Sequence, residues 1–150
     1  MYIKHGKPVF SYRDTFSMDM TLSPIIYAGV KKFRDVLLER NAEGKCLGVP
    51  SGLCDSYEDT DVDAALEKWI GILDKIIYSF DPYSQPDIED YKFDIKWHNK
   101  GNTEDGNTIV ETEIVNEGEW RRYHKDLEEW EEACKEGRML LMTHWNDMWW

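Results

Sequence analysis

The feature that most constrains this chain is a run of apolar residues at helical spacing between positions 61 and 80. Leu66, Trp69, Ile70, Leu73, Ile76, Ile77 and Phe80 fall on one side of a helix drawn at about 3.6 residues per turn. A stripe that wide has to be covered, so other elements must supply matching faces. Asp61 and Asp63 suit the start of such a helix, one as a cap and both through the helix dipole. Asp81-Pro82 ends it, because the residue before a proline is pushed out of helical geometry.

Two more helices meet that requirement. Leu22, Ile25, Ile26, Val30, Phe33, Val36 and Leu37 predict a helix over about 22–40, starting near Asp19 to Ser23, with Ser23 as a good N-cap and Pro24 at the first helical position. Trp120, Tyr123, Leu127, Trp130, Cys134, Leu141, Trp145 and Met148 predict another over about 118–148. Gly137 inside it marks a kink, a close helix crossing or a break. Cys134 is expected to pack as a small hydrophobe and Trp145 to lie in the core. Residues 1–20 read as an irregular or extended entry, and 41–60 as a connector punctuated by Gly44, Gly48, Pro50 and Gly52. Alternation in Tyr91, Phe93, Ile95, Trp97 and again in Val110, Thr112, Ile114 predicts a β-hairpin over about 91–115, with its tip near Asp105-Gly106. An isolated hairpin is marginal in water, so its aromatic face is expected to dock on the helices. The expectation is a mainly α single domain, residues 1–150, with three principal helices packed as a small bundle and one inserted β-hairpin.

Charge narrows the partners. Thirty acidic and 18 basic side chains leave a net charge of −12. Phosphate backbones and anionic membrane surfaces are repelled by such a field, which argues against broad nucleic-acid or membrane binding. No apolar run is long enough to span a bilayer, and Met1 to Pro8 has no apolar signal region. Three cysteines, Cys46, Cys54 and Cys134, make an odd set without a framework spacing, which points to a reducing compartment.

Catalytic and metal patterns fail one by one. A calcium loop starting at Asp59 needs glycine where Ala64 stands and glutamate where Ile70 stands. His5, His98, His124 and His144 form neither His-Glu-x-x-His nor Glu-x-x-His, and Cys46 and Cys54 lack zinc-knuckle spacing. Phosphate-cradling glycine loops and a nucleophile elbow are missing too. No catalytic residue, metal site or cofactor is assigned. What stands out is a set of cations in an acidic chain: Arg13, Lys32, Arg34, Arg121 and Arg122, with Trp150 as a ring that a base could stack on. Brought together, these six would make an anion-binding pocket. Left apart, Arg121 and Arg122 would pair with Glu117 or Glu119, and Arg13 with Asp14.

Three segments also line up with a known pattern. They are Arg13-Asp14-Thr15-Phe16 through Asp19; Trp69 with Ile72-Leu73, Ile77 and Phe80; and the stretch from Glu136 through Leu140-Leu141 to Trp149. Together they resemble a widespread family of small tailed-phage proteins. The family's Pro-Arg-Leu-Lys segment is replaced here by Ala28 to Phe33, and 84–117 reads as an insertion. The resemblance implies a bacteriophage product working in the host bacterial cytoplasm. It brings no catalytic residues. The expected function is a non-enzymatic accessory role in host takeover or counter-defence, by binding and sequestering a host protein or a nucleotide-type signal. The alternatives are a small phage enzyme acting on nucleotides, or a minor virion or assembly component. A homo-oligomer is compatible with either.

Overall fold

A computed structural model describes residues 2–11, 14, 18–42, 48–53 and 59–148. Arg13, Cys46, Cys54, the acidic stretch 55–58, Trp149 and Trp150 lie outside the described residues. The elements are β1 (Tyr2–Lys4), β2 (Lys7–Val9), α1 (Met18–Asn41), α2 (Asp59–Phe80), β3 (Asp94–Asn102), β4 (Thr108–Val115) and α3 (Glu117–His144), with single 3-10 turns at Ser51–Leu53, Ile88–Asp90 and Trp145–Asp147. The chain is mainly α with two small antiparallel hairpins. No described helix is long and apolar enough to cross a membrane.

The described residues form two compact units: 1–84 with 132–150, and 85–131. The first is built on the stripe of α2. Ala65, Trp69, Leu73 and Ile76 are at most 1% exposed. Val30 and Leu37 of α1 and Leu141 of α3 complete the cluster, with Phe33, Ile70, Phe80 and Met148 packed around it. Each such side chain contributes roughly 1.5–3 kcal/mol when fully buried. Two buried polar groups return to their own helices: Asn41 Nδ2 donates to the Leu37 carbonyl and Ser79 Oγ to the Ile76 carbonyl, both at 2.8 Å.

Gly137 turns out to be a close crossing inside an unbroken helix. A Cβ there would lie 2.6 Å from Ser79 Cβ and 2.7 Å from Ser79 Oγ, and would run into the Lys75 carbonyl. Cys134, Gly137 and Leu141 are the buried residues of α3, spaced three and four apart on one face. Cys134 is indeed a core residue, 2% exposed, and burial pushes its thiol above the usual range.

The structure corrects the sequence reading at four places. The first helix starts at Met18, so Ser23 is not its cap and Pro24 sits inside it; the Ser-Pro signal is local, and helical contacts upstream outweigh the bond that proline gives up. The last α-helix ends at His144, and Trp145, expected in the core, is 63% exposed. The entry segment forms a small hairpin, with Tyr2 opposite Val9. Its two-residue turn puts His5 and Gly6 at positive φ, 50° and 75°, as a tight hairpin turn requires. Finally, β3 runs on to Asn102, well beyond the alternation read at 91–97.

Gly137→Ala is therefore expected to destabilise the protein by about 1–3 kcal/mol through overpacking, read as a lower urea midpoint at unchanged slope. Gly71, also helical, faces open space. Gly71→Ala is expected to be neutral or to stabilise by about 0.5–1 kcal/mol, and the contrast separates packing from helix propensity.

Candidate functional site

The second unit holds the more unusual surface. Asn116 joins β4 to α3. It adopts φ 64°, a conformation asparagine tolerates better than most residues. Its Oδ1 accepts from Glu119 N at 3.4 Å, capping the helix, while its Nδ2 donates to the Lys92 carbonyl at 2.9 Å. One side chain thus ties the segment entering the hairpin to the helix leaving it. Tyr91 and Phe93 pack on Tyr123, with centroids 5.1 and 5.7 Å apart. Tyr91 Oη donates to Asp126 Oδ2 at 2.7 Å, and the Arg122 guanidinium lies 4.8 Å over the Tyr91 ring.

The register then sorts the hairpin into two unlike faces. Ile95 pairs with Ile114, Trp97 with Thr112 and Asn99 with Val110; side chains alternate along a strand, so these six share one face, and none is charged. The opposite face carries Lys96 and His98 against Glu113 and Glu111. There His98 Nε2 and Glu113 Oε2 are 2.8 Å apart, and Lys100 Nζ and Glu111 Oε2 are 2.5 Å apart. The hydrogen bond from His98, aided by the Lys96 charge, lowers the carboxyl pKa of Glu113. The uncharged face is covered only at its base. Ile95 and Ile114 are half-buried, but Trp97 is 68% exposed and Val110 46%. The expected docking of the aromatic face therefore holds for Tyr91 and Phe93 and fails for Trp97.

The described cations are divided between the two units, Lys32 and Arg34 in the first and Arg121 and Arg122 in the second. Arg121 pairs with Glu117 at 2.7 Å and Arg122 with Glu119 at 3.1 Å. In the first unit Arg34 Nε lies 2.5 Å from Asp74 Oδ1, while Lys32 is exposed on α1. Arg13 and Trp150 lie outside the described residues. No three His, Cys, Asp or Glu among the described residues are grouped to hold a metal.

Two further features escaped the sequence reading. An apolar cleft of about 500 Å³ is lined by Ile25, Gly29, Phe33, Trp145 and Met148, among others. Near it in sequence, His144 Nδ1 lies 2.8 Å from Asp147 Oδ2, and its ring stands edge-on to the buried Trp69, centroids 5.3 Å apart. Trp69 Nε1 has no hydrogen-bond partner among the described residues. The cleft had no sequence signal, because Gly29 and Trp145 are remote along the chain. The exposed Trp97 had none either: its strand neighbours Lys96 and His98 mark the far face as the solvated one, which is why the Trp97 face was expected to dock.

The hydrogen bond to Asp126, then burial and the Asp126 charge, push the Tyr91 phenol up from 10.0 to about 12. The bond needs the protonated phenol. Its contribution is thus complete below about pH 10 and lost as pH rises through the folded value. Alkaline titration of tyrosinate absorbance is expected to show one late tyrosine, missing in Tyr91→Phe and shifted down in Asp126→Asn.

Comparison with family models, with curated proteins and with solved structures returns no match.

Proposed function

We propose that this chain is a binding protein, a bacteriophage accessory factor that acts by occupying a host protein, and that its contact surface is the uncharged face of the β3–β4 hairpin. The observation that carries the reading is Trp97, 68% exposed on a face without a single charge, in a chain where charged residues make up 32%. Large exposed aromatics are the residues that most often anchor protein interfaces. The counter-defence role and the host cytoplasm come from the resemblance to small tailed-phage proteins and belong to the same proposal. So does packing of the three helices as a bundle, supported by the shared cluster of Val30, Leu73 and Leu141.

A protein is favoured over a nucleotide signal as the target because Arg34, Arg121 and Arg122 already face carboxylates. Freeing a guanidinium for phosphate gives up an existing pair. An enzymatic reading would need titratable groups converging in a cleft. The apolar cleft is lined by Ile25, Phe33 and Met148 rather than by acids or bases.

The test captures partners from bacterial lysate on the immobilised protein, then titrates the identified partner against wild type, Trp97→Ala and Val110→Lys. Both variants are expected to weaken binding on the order of tenfold or more. Undiminished affinity in both overturns the assignment of the surface. A nucleotide-sized mass retained in native mass spectrometry and released on denaturation would overturn the choice of target.

A further inference from the structure

The two edges of the β3–β4 hairpin are not alike. An exposed strand edge presents unpaired N–H and C=O groups, and proteins blunt such edges with lysine, proline or a bulge. β3 has these defences. Its register shifts between Asn99 and Gly101, making a bulge at Lys100, and Lys96 lies upstream. β4 is guarded only by the charges of Glu111 and Glu113. It reads Thr-Ile-Val-Glu-Thr-Glu-Ile-Val over 8 residues, without lysine, proline, glycine or bulge. Thr108, Ile109, Val110, Thr112, Ile114 and Val115 are all β-branched, the side chains best suited to a strand. The sheet has two strands, so among the described residues β3 is the only strand paired with β4.

From this asymmetry we propose that β4 accepts an added strand from the partner, and that this strand alternates basic and apolar residues. The inference rests on the protein-binding reading above and specifies its mode. An added strand continues the pleat of its neighbour, so alternate side chains fall beside the two faces of β4. On one side they meet Val110, Thr112 and Ile114, which calls for apolar residues. On the other they meet Glu111 and Glu113. A recess of about 480 Å³ there is bounded by Glu111, Glu113 and Glu117, with His98 and Lys100 on its β3 side. Lys100 pairs with Glu111, Arg121 with Glu117 and His98 with Glu113. An imidazole balances a carboxylate only when protonated, so with neutral His98 the recess keeps one negative charge in surplus, which a lysine or arginine offsets. The same charges disfavour a second copy of β4 as the occupant. Antiparallel self-pairing centred on Glu111, Thr112 or Glu113, the registers that overlap most of the strand, sets glutamate opposite glutamate, and like charges directly opposite destabilise a sheet.

The probe is an acetylated, amidated eight-residue peptide of alternating Lys and Val. Its controls are the same composition in two blocks, Lys first and Val second, and alternating Glu and Val. Binding is titrated against full-length protein, with amide hydrogen exchange read residue by residue. The alternating Lys–Val peptide is expected to slow exchange at every second amide of 108–115. It is also expected to bind on the order of tenfold more tightly than either control, the scale of a few opposite-charge cross-strand pairs. Glu111→Gln/Glu113→Gln is expected to erase the discrimination between the Lys–Val and Glu–Val peptides. Glu111→Lys/Glu113→Lys is expected to invert it. The glutamine variant keeps side-chain shape, so it reports even if the lysine variant fails to fold. Equal binding by the block peptide, or no added protection in 108–115, overturns strand addition. So does concentration-dependent protection of 108–115 without peptide, which would assign the edge to a second copy. If strand addition fails while Trp97→Ala still releases the captured host partner, the binding reading stands and only its mode is wrong.

Discussion

The approach of α3 to α2 at Gly137 is the constraint on which the helical unit depends. With no side chain at that position, the backbone of α3 reaches the Lys75 carbonyl and the Ser79 side chain. Leu141, one turn on, then joins Trp69, Leu73 and Ile76 in the core cluster, and Cys134, one turn back, is buried on the same face of α3. The close approach also explains Ser79. The residue is 5% exposed and its hydroxyl bonds within its own helix, so the contact buries no unsatisfied donor. α2 is in turn the element most completely enclosed. Trp69 sits at its middle with Phe33 of α1 edge-on at 6.4 Å and His144 at 5.3 Å. Aromatic pairs in this geometry add about 0.5–1.5 kcal/mol beyond burial. The carboxylate of Asp147 fixes the His144 ring that makes one of them.

The hairpin unit is organised by polar connections at its base and has little core of its own. Asn116 caps α3 and reaches back to Lys92, and Tyr91 reaches Asp126. These bonds hold the base, and Tyr123 fills the space between Tyr91 and Phe93. Beyond Ile95 and Ile114 the strands carry on without cover. Two strands with one bare apolar side are marginal in water. The ion pairs of the opposite face, all more than 40% exposed, contribute at most roughly 1 kcal/mol apiece. A hairpin built this way is stable enough to present a surface and leaves that surface unsatisfied.

Helical stripes were the legible part of the sequence. Trp69, Leu73 and Ile76 are fully enclosed, as their spacing requires, because a broad apolar stripe has one low-energy solution. Cys134 was legible for the same reason, since it lies on a periodic face; Gly137 was open between a kink, a close crossing and a break, and only its contact with Lys75 and Ser79 decides for the crossing. Capping at Ser23-Pro24 was misread because a good local start signal cannot exclude a longer helix. The length of β3 was misread because His98 and Lys100 look like loop residues until Glu113 and Glu111 are seen across the ladder. Trp145 continues the helical spacing beyond the point where the α-helix stops, so periodicity alone could not place it. Arg121 and Arg122 were visible as cations, and their glutamates three and four residues away were the better guide to what they do.

On the proposed binding reading, charge and apolar surface would divide the work of recognition. Lys75, Lys100, Arg34, Arg121 and Arg122 each face a carboxylate, so their fields are largely cancelled at a distance while the surplus of acids is not. A net charge of −12 then draws basic surfaces from about a Debye length, ~8 Å at physiological salt, and turns acidic ones away. Attraction of that kind governs the rate of encounter and gives little to the lifetime of a complex. Lifetime depends on surface that can be dried without stranding a charge. Trp97 and Val110 offer such surface, and Glu111 and Glu113 lie on the opposite face of the same two strands. On the binding reading proposed above, an acidic protein would hold a basic partner by an uncharged contact, with Glu111 and Glu113 of β4 setting which strand fits and Trp97 setting how long it stays.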